Sequence, residues 1–298
     1  METRKYGNTD MNVSVLGFGG AEIGFQRASQ AEVDRLLGSA LDAGLNVIDT
    51  AECYMDSEEK IGKAVSHRRD DFYLFTKCGH ASGFDAPDWD VHMLEKSIDR
   101  SLKRLNVDHV DLIHLHSCSL DILRQGDVID VLKRAKEAGK TRYIGYSGDS
   151  QAAHYAATCG AFNSLEISIN IADQEAIDLT LPIAREKGMG VVVKRPIANA
   201  AWRSKERPEN TYHHVYWDRL QELRYDFLQK ELQEVVAVAL RFTLSLPGVH
   251  TAIVGTANPA RWRQNAELLE QGVLPSEQID AIRRRWKDVA NQNWVGQE

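Results

Sequence analysis

The sequence predicts an α/β fold in which eight parallel strands close into a (β/α)8 TIM barrel capped by an N-terminal β-hairpin. Three observations predict this fold. Strand and helix patterns alternate along the chain, the strands are short and nearly all apolar, as parallel strands covered on both faces must be, and a length of 298 residues is typical of one such barrel. We therefore expect a single domain over residues 1–298. A doubly wound open sheet is the alternative.

The N-terminal segment predicts the hairpin and the first barrel strand. Gly7 and Asn8 are turn residues, and the β-forming residues Val13 and Val15 follow them. A doubly wound sheet usually carries a glycine-rich phosphate turn that opens a helix after its first strand. Residues 17–20 read Gly-Phe-Gly-Gly, and no helix of the required kind is predicted after them, which favours the barrel.

The rest of the chain repeats the unit of strand and helix. After the strand that starts at Val15, strands are predicted at residues 45–49, 72–76, 110–115, 143–147, 165–169, 190–193 and 251–254. Helices are predicted between them at residues 29–43, 58–66, 92–105, 128–138, 175–187 and 231–245. Ser29 is the expected N-cap of the first helix, and Gly44 and Gly139 are the expected ends of two helices.

Two predicted loops, at residues 79–90 and 196–223, are longer than a strand-to-helix connection needs. Both leave the carboxyl ends of strands, which in a barrel is the active-site face. The second loop is rich in aromatic residues, namely Trp202, Tyr212, Tyr216 and Trp217. These side chains either line a substrate pocket or pack the loop onto the barrel, and both interpretations stay open.

The composition argues against several partner classes. A net charge of −7 disfavours a nucleic-acid partner. The basic cluster near the C-terminus falls in a helical pattern and is interpreted as a solvated helix face; it consists of Arg283, Arg284, Arg285 and Lys287. The first ten residues lack the apolar core of a signal peptide, and no apolar run reaches membrane-spanning length. We therefore expect a cytoplasmic protein without a membrane partner.

The cysteines are scattered and show no paired spacing of the kind that metal ligands have. They are Cys53, Cys78, Cys118 and Cys159. We expect neither disulfides nor a structural zinc site, and we predict no metal ligands.

Four residues that can carry chemistry follow the ends of successive predicted strands. Asp49 ends the second strand and Tyr54 follows five residues later, Lys77 ends the third strand, and His116 ends the fourth. Strand ends converge in a barrel, so a carboxylate, a phenol, an amine and an imidazole are expected to meet. His114 lies two residues before His116 and is expected to lie deeper and to be structural.

This set suits the reduction of a carbonyl group, which needs a hydride at carbon and a proton at oxygen. The pKa of an unperturbed tyrosine is about 10, and a nearby ammonium such as that of Lys77 is expected to lower the pKa of Tyr54. Asp49 would keep Lys77 charged and oriented, and His116 would donate a hydrogen bond to the carbonyl oxygen. Singly, these residues could be an N-cap, a snorkelling lysine, a packed tyrosine and a structural histidine; their coincidence at consecutive strand ends favours the catalytic interpretation.

Several motifs resemble the signatures of the aldo-keto reductase family. They are VIDTAECY, the lysine in LFTKCG, and VDHVDLIHLH, and the resemblance extends from VSVLGFGG through GKTRYIGYSG to TAIVGTANPARWRQN. It implies a bacterial-type member with the barrel, the hairpin cap and a catalytic tetrad of Asp49, Tyr54, Lys77 and His116. It also implies that NADPH, or NADH, transfers a hydride directly to an aldehyde or ketone.

The same resemblance implies a set of cofactor contacts. Ser147 matches a serine that binds the nicotinamide carboxamide, and Arg261, early in a short helix that Asn258 or a neighbour could cap, is the candidate for the adenosine 2′-phosphate. Gly148 stands where asparagine is common, and Gly255 replaces a frequent lysine, which puts a strong NADPH preference in doubt. The remaining expected contacts are Gly19, Gly20, Asp49, Glu166, Lys194, Arg195, Pro196, Ile197, Gly255, Thr256, Asn258, Gln264 and Asn265.

Two of these positions lead to a separate hypothesis. Glu166 stands where the family commonly has glutamine, and Lys194 stands where many members have an aromatic ring. Because both residues are predicted to end neighbouring strands, we expect them to form a charged pair beside the nicotinamide. The alternative is that Lys194 faces solvent or a phosphate.

Two functions are therefore considered. The first is a reductase for small carbonyl compounds, or an alcohol dehydrogenase in the reverse direction. The second is a regulatory nicotinamide-binding barrel that resembles the potassium-channel β subunits of the family. A sugar-phosphate barrel enzyme is disfavoured because the sequence shows no cluster of metal-binding carboxylates. The oligomeric state is left open.

Overall fold

The computed structural model describes residues 1–297 and contains an antiparallel hairpin followed by a closed barrel of eight parallel strands. The hairpin strands are β1 (Thr3–Lys5) and β2 (Asn12–Ser14). The barrel strands, in chain order and in spatial order, are β3 (Leu16–Gly19), β4 (Val47–Asp49), β5 (Tyr73–Cys78), β6 (Val110–His116), β7 (Thr141–Ser147), β8 (Ser164–Ser168), β9 (Gly190–Lys194) and β10 (Thr251–Gly255). The barrel closes where β10 pairs with β3, with Ala252 opposite Leu16. The predicted fold class and hairpin are confirmed.

Helices surround the barrel and connect its strands. The α-helices are α1 (Ala21–Phe25), α2 (Gln30–Asp42), α3 (Ser57–Val65), α4 (Val91–Leu105), α5 (Leu120–Gln125), α6 (Asp127–Glu137), α7 (Ser150–Thr158), α8 (Glu175–Leu179), α9 (Leu181–Glu186), α10 (His214–Leu223), α11 (Leu232–Leu244), α12 (Arg261–Leu268) and α13 (Ser276–Val289). Short 3-10 helices lie at Ser66–Asp71, Ala198–Arg203, Thr211–His213, Asp226–Gln229 and Leu269–Gln271.

The local signals for helix ends explain several boundaries. Ser29 caps α2 as predicted, because its hydroxyl accepts from the N–H of Glu32 while the Glu32 carboxylate accepts from the N–H of Ser29. Asp90 caps α4 in the same manner by accepting from the N–H of Met93 at 2.8 Å. Gly44 follows α2 with a φ of +92°, a conformation that favours glycine.

Three predictions of secondary structure are wrong in detail. The expected helix at 175–187 is two helices, α8 and α9, because Pro182 in the first turn of α9 has no N–H to continue the hydrogen bonding of α8. The expected loop at 196–223 ends in α10. The helix α7 is not predicted, because its buried residues are alanines, which give weak apolar periodicity.

The hairpin closes the N-terminal end of the barrel. Its buried residues Tyr6, Met11 and Val13 pack on the lowest layer of inward-facing strand residues. That layer consists of Val47, Phe75, Leu112, Val192 and Ile253. The apolar plug shields the lower barrel, so polar side chains are concentrated towards the opposite end.

The basic residues of α13 are only partly the solvated face that the sequence predicts. Arg284 and Lys287 are exposed. Arg283 instead binds both carboxylate oxygens of Asp178 at 2.6 Å, and Arg285 donates to the carbonyl of Leu223 at 2.6 Å. These two arginines fasten α13 to neighbouring helices.

Within residues 1–297, the longest apolar helices fall short of what crossing a bilayer requires.

Candidate active site

The four predicted catalytic side chains are brought together at the carboxyl end of the barrel. Asp49 is the last residue of β4, Lys77 is next to last in β5, and His116 is the last residue of β6. Tyr54 lies in the connection between β4 and α3. Because parallel strands place their carboxyl ends at one rim, residues that are distant in sequence share a small volume here.

Lys77 lies between two carboxylates. Its Nζ donates to Asp49 Oδ2 in a short hydrogen bond and to the carbonyl of Thr50 at 3.1 Å. Glu166 Oε2 lies 3.2 Å from the same nitrogen. All three charged side chains are at most 2% exposed, so each depends on the others for compensation of its charge.

The charges in this cluster determine its protonation. Burial alone would lower the pKa of Lys77, but the carboxylates of Asp49 and Glu166 raise it above its usual value. Burial and the charge of Glu166 raise the pKa of Asp49, because two carboxylates share one ammonium. Lys77 is therefore a permanent cation at neutral pH, as the sequence predicts.

The phenol of Tyr54 lies beside this cation and beside His116. Lys77 Nζ is 5.5 Å from the centroid of the Tyr54 ring, and the Tyr54 and His116 rings meet edge to face at 5.6 Å. Helix α1 fixes the backbone here, because a Cβ at Gly24 would lie 2.2 Å from the carbonyl oxygen of Tyr54. Only glycine allows this close approach.

The pKa of Tyr54 differs from the sequence-based prediction. Burial raises the pKa of the phenol above its ordinary value, and the charge of Lys77 opposes this rise without reversing it. The main physical reason is that the phenol is buried; in addition, Asp49 and Glu166 contact Lys77 directly and offset its charge. The phenol therefore stays protonated at neutral pH.

His116 is a neutral imidazole in this environment. Burial, followed by the charge of Lys77, holds its pKa well below the usual value for histidine. Nδ1 lies 3.4 Å from Cys53 Sγ, which leaves Nε2 to face another group. A neutral imidazole with one protonated nitrogen can donate one hydrogen bond to an oxygen.

A second polar layer lies beneath the four residues. His114 is fully buried, its Nε2 lies 3.0 Å from Ser164 Oγ, and its Nδ1 lies 3.5 Å from Glu166 Oε2. Burial lowers the pKa of His114 to about 3. Ser164 Oγ in turn lies 2.5 Å from the hydroxyl of Tyr6 in the hairpin. His114 has the deep position that the sequence predicts.

The predicted ion pair of Glu166 with Lys194 is wrong. Glu166 lies in the middle of β8 and is opposite Val192, whereas Lys194 ends β9 and is opposite Ser168. Glu166 is therefore two residues away from the position opposite Lys194, and the two side chains lie in different layers of the barrel. Glu166 binds Lys77, and Lys194 Nζ instead lies 3.1 Å from Asp149 Oδ2.

The residues expected to contact the cofactor occupy one side of the same rim. Ser147 ends β7, and its buried Oγ has no hydrogen-bond partner among residues 1–297. Gly255 ends β10, and a Cβ there would lie 1.6 Å from Glu22 Oε2. The Glu22 carboxylate therefore occupies the space that a side chain at position 255 would need. The other expected contacts follow strand ends or begin α12: Gly19, Gly20, Lys194, Arg195, Pro196, Ile197, Thr256, Asn258, Arg261, Gln264 and Asn265.

Arg195 forms hydrogen bonds with the loop after β9 and with the C-terminal segment. It donates to the hydroxyl of Tyr212 at 2.6 Å, to Ser168 Oγ at 2.8 Å and to the carbonyl of Gln297 at 2.5 Å. Of the loop aromatics, Tyr216 is buried and donates to Asp173 at 3.0 Å, and Trp217 donates to a backbone carbonyl. These two rings pack the loop onto the barrel, whereas Tyr212 remains 46% exposed.

Arg261 is the first residue of α12. The Asn258 side chain accepts from the N–H of Ala260 at 3.0 Å, and Thr256 Oγ1 accepts from the N–H of Asn258 at 3.0 Å. The helix itself has no side-chain cap, contrary to the prediction for Asn258, because that bond is made one residue before its first turn. Within residues 1–297, Arg261 forms no ion pair with a carboxylate of the chain.

Several residues of the site are not predicted from the sequence. Asp149 binds Lys194, and its two oxygens accept from the N–H and hydroxyl of Ser168 at 2.7 and 3.0 Å. The sequence feature that could have identified Asp149 is its position two residues after the end of β7. Cys53 and His80 lie against His116, and they give no such signal because they come from separate connections.

Comparison with known proteins supports one family. The sequence model of the Aldo/keto reductase family matches residues 15–287. The chain is 27% identical to L-galactose dehydrogenase of Arabidopsis thaliana over 99% of this chain and 97% of the relative. It is 28% identical to D-threo-aldose 1-dehydrogenase of a Pseudomonas species over 86% of this chain and 89% of the relative. A solved aldo-keto reductase of Bacillus halodurans in its holo form superposes with a TM-score of 0.84 at 26% identity, covering 99% of each chain.

Proposed function

This chain belongs to the aldo/keto reductase family of nicotinamide-dependent oxidoreductases, and on that premise we propose that it reduces an aldehyde or ketone with Tyr54 as the proton donor. The observation that carries the proposal is that the Tyr54 ring lies beside both neutral His116 and the charged Lys77. A weak acid, a cation and a neutral hydrogen-bond donor at one rim are what a developing alkoxide needs.

The rim offers polar groups suited to a nicotinamide dinucleotide. The Ser147 hydroxyl is 1% exposed and lacks a partner among residues 1–297, so it can bind a carboxamide. Arg261 offers a cation to a phosphate at the start of α12. When bound, the reduced nicotinamide supplies the hydride that the carbonyl carbon accepts.

The chain's own residues position the substrate and move the proton. His116 donates a hydrogen bond to the carbonyl oxygen and orients it towards Tyr54. The Tyr54 O–H then transfers its proton to that oxygen as negative charge develops there. Lys77 stabilises the resulting phenolate by its charge, and Asp49 and Glu166 hold the ammonium in place.

The substrate is proposed to be a small carbonyl compound. Two relatives carry names of sugar dehydrogenases, L-galactose dehydrogenase and D-threo-aldose 1-dehydrogenase, so aldoses belong in any test panel. Steady-state rates over aldehydes, ketones and aldoses, each with NADPH and NADH, would test the proposal. Cofactor binding without turnover of any compound would instead support a regulatory barrel.

We expect the pH dependence to differ between the two directions of reaction. Burial raises the pKa of Tyr54 above its ordinary value, which is about 10. Carbonyl reduction needs the protonated phenol, so its kcat should not fall with loss of this proton up to about pH 9. Alcohol oxidation needs the phenolate, so its kcat should rise steadily with pH. A plateau of oxidation that begins near neutrality would show that Lys77 lowers the pKa after all.

We expect Arg261 to determine the preference between phosphorylated and unphosphorylated cofactor. Arg261→Ala should weaken NADPH binding by about 10-fold or more, the worth of a charge-assisted hydrogen bond, and should leave NADH binding nearly unchanged. Fluorescence titration with both cofactors measures this. Arg263→Ala is the matched control, because Arg263 lies in the same helix and pairs with Glu267 at 3.3 Å on the exposed face. Equal weakening of both cofactors by Arg261→Ala would assign this arginine to helix stability.

A further inference from the structure

Three side chains with ligand atoms for transition metals meet beside Tyr54. Cys53, His80 and His116 each place one ligand atom within 4.8 Å of the others. Cys53 Sγ is 3.4 Å from His116 Nδ1, and the His80 and His116 rings meet edge to face at 5.2 Å. Each of the three comes from a different connection or strand end, so no short sequence spacing reveals the cluster.

The distances suit tetrahedral zinc. Zinc–sulfur and zinc–nitrogen bonds of about 2.3 and 2.05 Å at tetrahedral angles separate sulfur from nitrogen by about 3.6 Å. The distance from Cys53 Sγ to His116 Nδ1 is 3.4 Å, and the remaining separations, all within 4.8 Å, exceed the ideal by about 1.5 Å at most. Three protein ligands leave the fourth position of the ion open.

The surrounding groups support a ligand role for His80. Asp88 Oδ2 lies 2.9 Å from His80 Nδ1, an arrangement that fixes the ring and leaves Nε2 to bind an ion. Carboxylates commonly orient metal-binding histidines in this way. Glu52 Oε1 accepts from the N–H of His80 at 3.0 Å, and Glu52 Oε2 is buried with no hydrogen-bond partner among residues 1–297.

We propose that Cys53, His80 and His116 form an inhibitory binding site for a thiophilic divalent cation such as Zn²⁺. On binding, the Cys53 thiol releases its proton to solvent and a sulfur–metal bond forms, while the two imidazoles bind in their neutral form. The sequence predicts neither a structural zinc site nor metal ligands, and the proposal departs from the second prediction. The proposed site is not structural, because the protein folds around the barrel core rather than around the ion.

The inhibition rests on the proposed function of His116. Closing the cluster around an ion moves its ligand atoms by about 1 Å, and misplacement of a positioning group on that scale costs up to about 100-fold in rate. Zn²⁺ also adds positive charge next to the imidazole that orients the carbonyl oxygen. Turnover should therefore fall as the site fills.

Metal binding is tested first without substrate or cofactor. Chelator-treated protein is titrated with Zn²⁺ against a chromophoric chelator and with Co²⁺ by absorption. We expect one ion per chain with a thiolate-to-cobalt charge-transfer band. Cys53→Ser should abolish the band, and Asp88→Asn should weaken Zn²⁺ binding by about 10–100-fold, the usual effect of removing an outer partner. Cys159→Ser and His92→Ala, which alter an exposed cysteine and a surface histidine, should bind as the wild type does.

Turnover is then measured with and without Zn²⁺. The wild type should lose up to about 100-fold in rate at full occupancy, whereas Asp88→Asn should need about 10–100-fold more Zn²⁺ for the same loss. Equal affinity in wild type and Cys53→Ser, or full occupancy with unchanged turnover, would overturn the proposal. Failure of the proposed function is distinguishable, because it would appear as absent turnover in the metal-free protein.

Discussion

Tyr54→Phe is expected to lower kcat by roughly 100-fold or more, the scale of general acid catalysis. The substitution removes only the hydroxyl, so the ring keeps its contacts with His116 and Phe25. In this variant Lys77 and His116 can still stabilise negative charge on the substrate oxygen. The group that we propose to donate a proton to that oxygen is absent. Cofactor affinity should stay within a few-fold of the wild type, because Tyr54 is not among the expected cofactor contacts.

The experiment combines steady-state kinetics with fluorescence titration of the cofactor. Tyr155→Phe is the matched control, because Tyr155 lies in α7 and its ring contacts Arg124 rather than the rim. It should retain the kcat of the wild type. A near-normal kcat in Tyr54→Phe would refute the assignment of Tyr54 as proton donor.

Lys77→Met is expected to cause the largest loss of stability of any single change in the site. It leaves Asp49 and Glu166 as buried carboxylates without their shared cation, and breaking a buried ion pair in this way costs roughly 3–5 kcal/mol. Turnover should also be lost, because the substitution removes the cation that lies beside Tyr54. Denaturant unfolding and steady-state kinetics measure the two effects.

A second substitution separates charge compensation from packing. Adding Glu166→Gln to Lys77→Met removes one of the uncompensated carboxylates and should restore part of the stability without restoring turnover. The exposed pair of Lys133 with Asp130 gives the control, since Lys133→Met should change stability by about 1 kcal/mol or less. If Lys77→Met and Lys133→Met lower the free energy of unfolding equally, the ion pairs of Lys77 with Asp49 and Glu166 do not stabilise the fold.

The sequence was sufficient to predict the barrel and the convergence of polar side chains at one of its rims. Short apolar runs mark buried parallel strands, and the polar residues that end them fall at one face by topology alone. For this reason Asp49, Lys77 and His116 could be placed together before any coordinates were known. Ser29 as a helix cap was predictable because its signal lies within four residues.

Features that depend on register or on several connections could not be predicted. Glu166 and Lys194 differ by two positions relative to their strand ends, and a single sequence does not reveal that offset. The direction of the pKa shift of Tyr54 depends first on how deeply the phenol is buried and then on its distances to Lys77 and the two carboxylates, and the sequence reveals neither. The cluster of Cys53, His80 and His116 joins three separate parts of the chain, so no local pattern contains it.

The most direct test of the central claim is one rapid-mixing measurement of a single turnover. Protein holding NADPH deuterated at the hydride-donating carbon is mixed with para-nitrobenzaldehyde, and the cofactor absorbance and the deuterium content of the product are followed. The wild type should oxidise the cofactor and give an alcohol with one deuterium on the former carbonyl carbon, at a rate roughly 100-fold or more above that of Tyr54→Phe. Product without deuterium, or equal rates in the two proteins, would contradict direct hydride transfer coupled to a proton from Tyr54.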